Sequence, residues 1–166
     1  MALTKNPLPT IAPTRALPVD MLSAFSLAQV IAASGYLQNA NLQVSAGPGR
    51  MEGYWVIDIL SANMGTGDEF YQFFLLGSND IAFGNGNVES LAAHDVGAAA
   101  SVRALPTICA ATPTIPDPGL NSTRHVIPFQ NQMGSYVFNY LQCYVKMGGT
   151  GPTITCSSWL VPTTSK

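Results

Sequence analysis

Ser135-Tyr-Val-Phe-Asn-Tyr-Leu-Gln-Cys-Tyr-Val-Lys146 alternates more clearly than any other part of the chain. Val137, Leu141, Cys143 and Val145 fall on one parity, and Tyr136, Phe138, Tyr140 and Tyr144 on the other. Successive side chains of a strand point to opposite faces, so the segment carries one aliphatic and one aromatic face. Both faces are apolar, so both are expected to be covered, as in an inner strand of a sandwich. The aromatic face is accordingly expected in the core rather than at a ligand. Strands flank it on either side: Arg124-His-Val-Ile-Pro-Phe-Gln130 before, Pro152-Thr-Ile-Thr-Cys-Ser-Ser-Trp-Leu-Val161 after.

Working back towards the N-terminus, Met51 to Leu60 is apolar on both parities and reads as another covered strand. Asp58 interrupts it. A buried carboxylate there would need a partner, and solvent or backbone amides are the expected ones. Glu69-Phe-Tyr-Gln-Phe-Phe-Leu-Leu76 is the next strand, and Ala28 to Ala32 and Tyr36 to Val44 are two earlier ones. Asp20 is placed to cap a short helix over Met21 to Phe25. Val88 to Leu105 reads as a loop with one short strand at Ser101 to Leu105, because Gly97 interrupts its alanine runs. Pro106, Pro113, Pro116 and Pro118 make the following stretch a long connection.

The pattern is about eight short strands with turn residues between them, which predicts an all-β, jelly-roll-like β-sandwich. Residues 1–20 are set apart as an extended arm. Pro7, Pro9, Pro13 and Pro18 recur too often for a helix or an inner strand. Its apolar Leu3, Leu8, Ile11 and Leu17 have no core of their own and are candidate inter-subunit contacts. Residues 21–166 form the single sandwich domain.

Only 10% of the 166 residues are charged, against about 25% in ordinary soluble domains. A neutral polar surface and a surface covered by partner subunits both fit this depletion. The net charge is −2 and the seven basic residues are scattered, which excludes a counterion-displacing nucleic-acid surface. No apolar run approaches the ~18 residues of a membrane span, and the proline-broken N-terminus lacks the pattern of a signal peptide. Cys109, Cys143 and Cys156 contain no C-x-x-C pair; free thiols are expected, with one bond among them left open.

Chemistry is sparse. His94 and His125 are the only histidines, and neither has the neighbours of a metal site or triad. Asp68, Glu69 and Asp80 read as solvated loop acids rather than a glycosidase pair. Gly65-Thr-Gly67 and Gly148-Gly-Thr-Gly151 lack the lysine and helix of a phosphate loop and read as turns. No catalytic residue, metal or cofactor is therefore assigned. Sugar-stacking aromatics are the one alternative chemistry, with Trp159 the residue expected to be most exposed.

Four segments occur in order: Glu69-Phe-Tyr-Gln-Phe-Phe-Leu-Leu-Gly-Ser-Asn-Asp80 with Phe83, His125-Val-Ile-Pro-Phe-Gln-Asn131, Tyr136-Val-Phe-Asn-Tyr-Leu-Gln-Cys-Tyr144 and Gly149-Thr-Gly-Pro-Thr-Ile-Thr155. Together they resemble the jelly-roll cement (decoration) proteins of short-tailed bacteriophage capsids, over roughly residues 50 to 161. Where that family often has an arginine in the aromatic strand, this chain has Gln142 or Asn139. The resemblance implies a structural, non-enzymatic virion protein on the capsid exterior, assembled in the bacterial host cytoplasm. Its implied partners are the major capsid protein and a second copy of itself, a dimer ahead of a trimer. A carbohydrate-binding β-sandwich on a phage or cell surface is the alternative.

Overall fold

The computed structural model describes residues 24–37, 43–84, 88–97 and 123–163. The arm residues Leu3, Leu8, Ile11 and Leu17 lie outside these, as do the strand expected at Ser101–Leu105, the proline-rich connection and Cys109. Eleven strands are described: β1 Ala24–Ile31, β2 Gly35–Tyr36, β3 Val44–Ser45, β4 Glu52–Ala62, β5 Phe70–Ser78, β6 Val88–Gly97, β7 Thr123–Gln130, β8 Gln132–Met133, β9 Tyr136–Val137, β10 Tyr140–Gly148 and β11 Ile154–Pro162. No described residue is helical, so the all-β class read from the sequence holds.

Two antiparallel sheets face one another. The first runs β1-β11-β4-β7; the second runs β2-β10-β5-β6, with β3 also on β10; β8 and β9 form a separate hairpin. The chain passes between the sheets repeatedly, from β1 to β2 and from β4 to β5. The core follows from parity. Trp55, Ile57 and Ile59 of β4 point inward beside Leu160 and Cys156 of β11, and meet Tyr71, Phe73 and Leu75 of β5 with Leu141, Cys143 and Val145 of β10. Burying one such side chain is worth about 1.5–3 kcal/mol, which is why the central strands β4, β5, β10 and β11 are the apolar ones. One polar contact inside is the Trp55 indole N–H donating to Ser158 Oγ at 2.8 Å.

Four expectations are corrected. Ala24 and Phe25 begin β1 instead of closing a helix. Val88–Gly97 is a full strand at the margin of its sheet. Its mixed polar and apolar sequence hid it, since a margin strand needs little apolar alternation. Trp159 is 1% exposed rather than open to solvent.

The fourth correction concerns the stretch with the clearest alternation. It is not one strand: the ladder stops after Val137 and resumes at Tyr140. Between them Phe138 N–H donates to the Asn131 carbonyl and Asn139 N–H to Asn79 Oδ1, both at loop positions. Parity resets at this break. Phe138 turns into the core, 7% exposed, and a Cβ on Gly77 would come within 2.9 Å of its ring. Tyr140 and Tyr144 remain outside, half-buried, on the outward face of the second sheet.

Candidate functional site

The outward face of the second sheet is assembled by register. Tyr36 of β2, Tyr144 of β10, Phe74 of β5 and Ala93 of β6 are successive cross-strand partners and form one row. Gln142, Leu76 and Ser90 make the row on one side of it, and Lys146, Gln72 and Asp95 the row on the other. Tyr36 and Tyr144 meet edge to face with ring centroids 5.1 Å apart. Tyr36 is 36% exposed, and Tyr144, Phe74 and Leu76 are each half-buried. The platform is thus aromatic and aliphatic at its centre and charged only at Lys146 and Asp95.

At one end of the sandwich the β8–β9 hairpin presents a second apolar group. Met133 and Tyr136 are cross-strand partners and are 44% and 71% exposed. Asn79 Nδ2 donates to the Val137 carbonyl at 3.0 Å and ties this hairpin to the turn bearing Ile81, itself 55% exposed. Asn131, fully buried, anchors the hairpin base. Its Nδ2 lies within hydrogen-bonding distance of the Gly49 and Phe138 carbonyls, and its Oδ1 accepts from Met51 N–H.

The outward face of the first sheet holds the partner that Asp58 required. Arg124, opposite it on β7, donates Nε to Oδ1 at 2.7 Å and Nη2 to Oδ2 at 2.6 Å. Those hydrogen bonds raise the Arg124 pKa further. Its guanidinium carbon lies 5.3 Å from the centre of the Trp159 ring, a cation–π arrangement that helps seal the indole. Where this sheet meets β6, an open groove of about 480 Å³ is lined by Glu52, Tyr54, Leu91, Pro128, Phe129 and Gln130, among others.

Of the acids read as solvated, Asp68 is exposed as expected, although hydrogen-bonded, and Glu69 departs from that reading. Glu69 is buried; its carboxylate accepts the N–H groups of Thr66 and Gly67, and Thr66 Oγ1 lies 2.5 Å away. Asp68 accepts from the N–H and hydroxyl of Thr150, each at 3.0 Å, clamping the β4–β5 turn to the β10–β11 turn. Gly149 makes the clamp possible, since at φ 98° a Cβ there would sit 2.6 Å from the Asp68 carbonyl oxygen. Hydrogen bonds from Thr66 and Thr150 hold both carboxyls below their ordinary pKa.

The two histidines, read as isolated, are brought together. His94 points inward from β6 and His125 from β7, and their ring centroids are 4.3 Å apart. Burial lowers the pKa of His94, and lowers that of His125 to about 4, with the His94 charge adding to the effect. Nothing in the sequence joins residues on two different sheets, so only the strand order could reveal this pair. Among the described residues no three His, Cys, Asp or Glu side chains converge on a possible metal position, and Cys143 and Cys156 are free buried thiols. No described helix is long and apolar enough to cross a membrane. The described surface offers apolar area with a sparse charged rim. No protein-family model, curated protein or solved structure matches this chain.

Proposed function

We propose that this chain is a structural assembly protein that cements neighbouring subunits of a shell, on the outer surface of a bacteriophage capsid, and that it pairs there with a second copy of itself. The observation that carries the reading is the outward face of the second sheet, with its Tyr36–Tyr144–Phe74 row. Tyr and Phe are enriched and charges depleted at the centres of protein interfaces. The strand order gives fold-level support. A four-stranded layer ordered β1-β11-β4-β7 against a five-stranded one with the main path β2-β10-β5-β6 fits two Greek keys wound as a jelly roll, an architecture that recurs in viral capsid and lectin domains.

Self-pairing follows from the register. A two-fold axis lying along β5, in the plane between two facing copies, sets β10 of one over β6 of the other. Tyr144 then covers Ala93 of the second copy, Lys146 approaches its Asp95, and Phe74 and Leu76 meet their own equivalents. Large meets small and positive meets negative, as an isologous contact requires. The exposed Tyr136–Met133 tip is left for the shell protein.

Co-sedimentation with assembled phage capsids tests the cement function. Saturable binding that Tyr136→Ala weakens at least tenfold is expected; no binding to any capsid carrying a compatible lattice overturns it. The groove beside Tyr54, with Glu52 and Gln130 at its walls, favours glycan binding as the second reading. A glycan array separates the two, since a specific saccharide hit lost in Tyr54→Ala would select the latter.

A further inference from the structure

β6 and β7 are the outermost described strands of their respective sheets, and no ladder joins them. Among the described residues, the margin of the sandwich is closed there by side chains. His94 and His125 meet across it with ring centroids 4.3 Å apart and planes inclined by 44°. The Nε2 atom of each is buried without a hydrogen-bond partner. His125 is 8% exposed. Two orphaned ring nitrogens in one contact carry an unmet desolvation cost, which a native fold keeps only for a reason.

The surroundings favour neutral rings. β5 sets Phe73 opposite His94, and β4 sets Ile57 opposite His125. The neighbouring charges sit on the outward faces: Asp95 follows His94 on β6, and Asp58 and Arg124 bind each other beyond β4 and β7. Asp95 raises the His94 pKa and Asp58 that of His125, but in each case burial outweighs it. Two imidazolium ions in this contact would repel, with no inward carboxylate between them among the described residues.

We propose that the His94–His125 contact is an acid-sensitive latch that holds the two sheets together along their open margin and releases it when the imidazoles take up protons. The closed margin binds fewer protons than the open one, because the folded His pKa values lie below the ordinary 6.5. The latch is therefore fully effective above about pH 6.5 and weakens as pH falls from there towards 4. Opening would expose the inner sides of β6 and β7 next to the Leu91–Phe129 groove.

Amide hydrogen exchange, corrected for the intrinsic pH dependence, reads the margin directly. Between pH 7.5 and 4.5, exchange in 88–97 and 123–130 is expected to rise at least tenfold relative to β10 and β11, which should stay protected. His94→Phe and His125→Phe keep a ring in place without a titrating nitrogen, and each should remove most of that rise. An unchanged rise in both variants overturns the latch, as does no selective rise in the wild type. Should either variant fail to fold, an NMR titration of the two imidazoles in the native protein decides: values at the ordinary 6.5 refute the proposal, and values well below it support it.

Discussion

Asp58 and Arg124 show how a single carboxylate inside an apolar strand can be tolerated. Its two oxygens are met by the fork of a guanidinium on the adjacent strand, and that same fork lies over Trp159. Removing one member leaves the other poorly solvated, at a cost of about 1–3 kcal/mol for a pair only partly open to water. Arg124→Ala is therefore expected to lower Tm by roughly 3–10 °C at neutral pH, measured by calorimetry. Arg124→Lys should recover only part of the loss, since a lysine cannot bridge both oxygens. The need for a partner was legible in the sequence, because Asp58 sits among Val56, Ile57, Ile59 and Leu60. Its identity was not. Arg124 lies 66 residues away, and only the β4–β7 register sets the two opposite each other. Glu69 adds a second residue-scale prediction. Its folded pKa is lowered, so its contribution is present above the ordinary value of 4.5 and lost as pH falls below it. Glu69→Gln should melt earlier than the wild type at pH 7, and the gap should narrow as the two are compared at successively lower pH.

At the scale of the element, β10 divides its labour between two faces. Leu141, Cys143 and Val145 are fully buried, while Tyr140 and Tyr144 stand half-covered on the other side. A core truncation costs transfer energy plus a cavity, about 2–5 kcal/mol for Leu→Ala. Leu141→Ala should thus destabilise strongly, whereas Tyr140→Ala should cost under about 1.5 kcal/mol, a contrast that parallel urea melts would read. Comparable losses would mean that the aromatic side is as deeply packed as the aliphatic one. The sequence made the strand and its two-faced character plain. It did not disclose which face was inner beyond Asn139, because a two-residue interruption held by loop hydrogen bonds reverses parity without altering the apolar pattern. β6 was hidden for the opposite reason. A marginal strand that mixes Ala92 and Ala93 with Glu89, His94 and Asp95 carries little of the apolar periodicity that marks its neighbours.

For the whole molecule, the all-β class followed from eight or so apolar runs with turn residues between them, but the order of the strands is a property of the folded chain. That order creates both the aromatic platform and the β6–β7 margin. It lays Tyr36, Tyr144, Phe74 and Ala93 across four strands, with β2 and β10 far from β5 and β6 in sequence, and it brings β6 beside β7. A half-covered sheet face is a surface on which two copies can stack with strands nearly aligned, as sheets do within a sandwich. If the axis runs along β5, Tyr144 of one copy fits over the small Ala93 of the other. Ala93→Trp would fill that space on both sides of the dyad at once, while pointing outward and leaving the core alone. Sedimentation equilibrium should show the wild type associating in a concentration-dependent way, and Ala93→Trp raising the dimer Kd at least tenfold with Tm changed by less than about 3 °C. Tyr144→Glu should do the same by placing a charge at the centre of the apolar patch. Association that survives both substitutions would place the contact on another surface of the sandwich, and a wild type that stays monomeric at high concentration would remove self-pairing while leaving capsid binding to be judged by co-sedimentation.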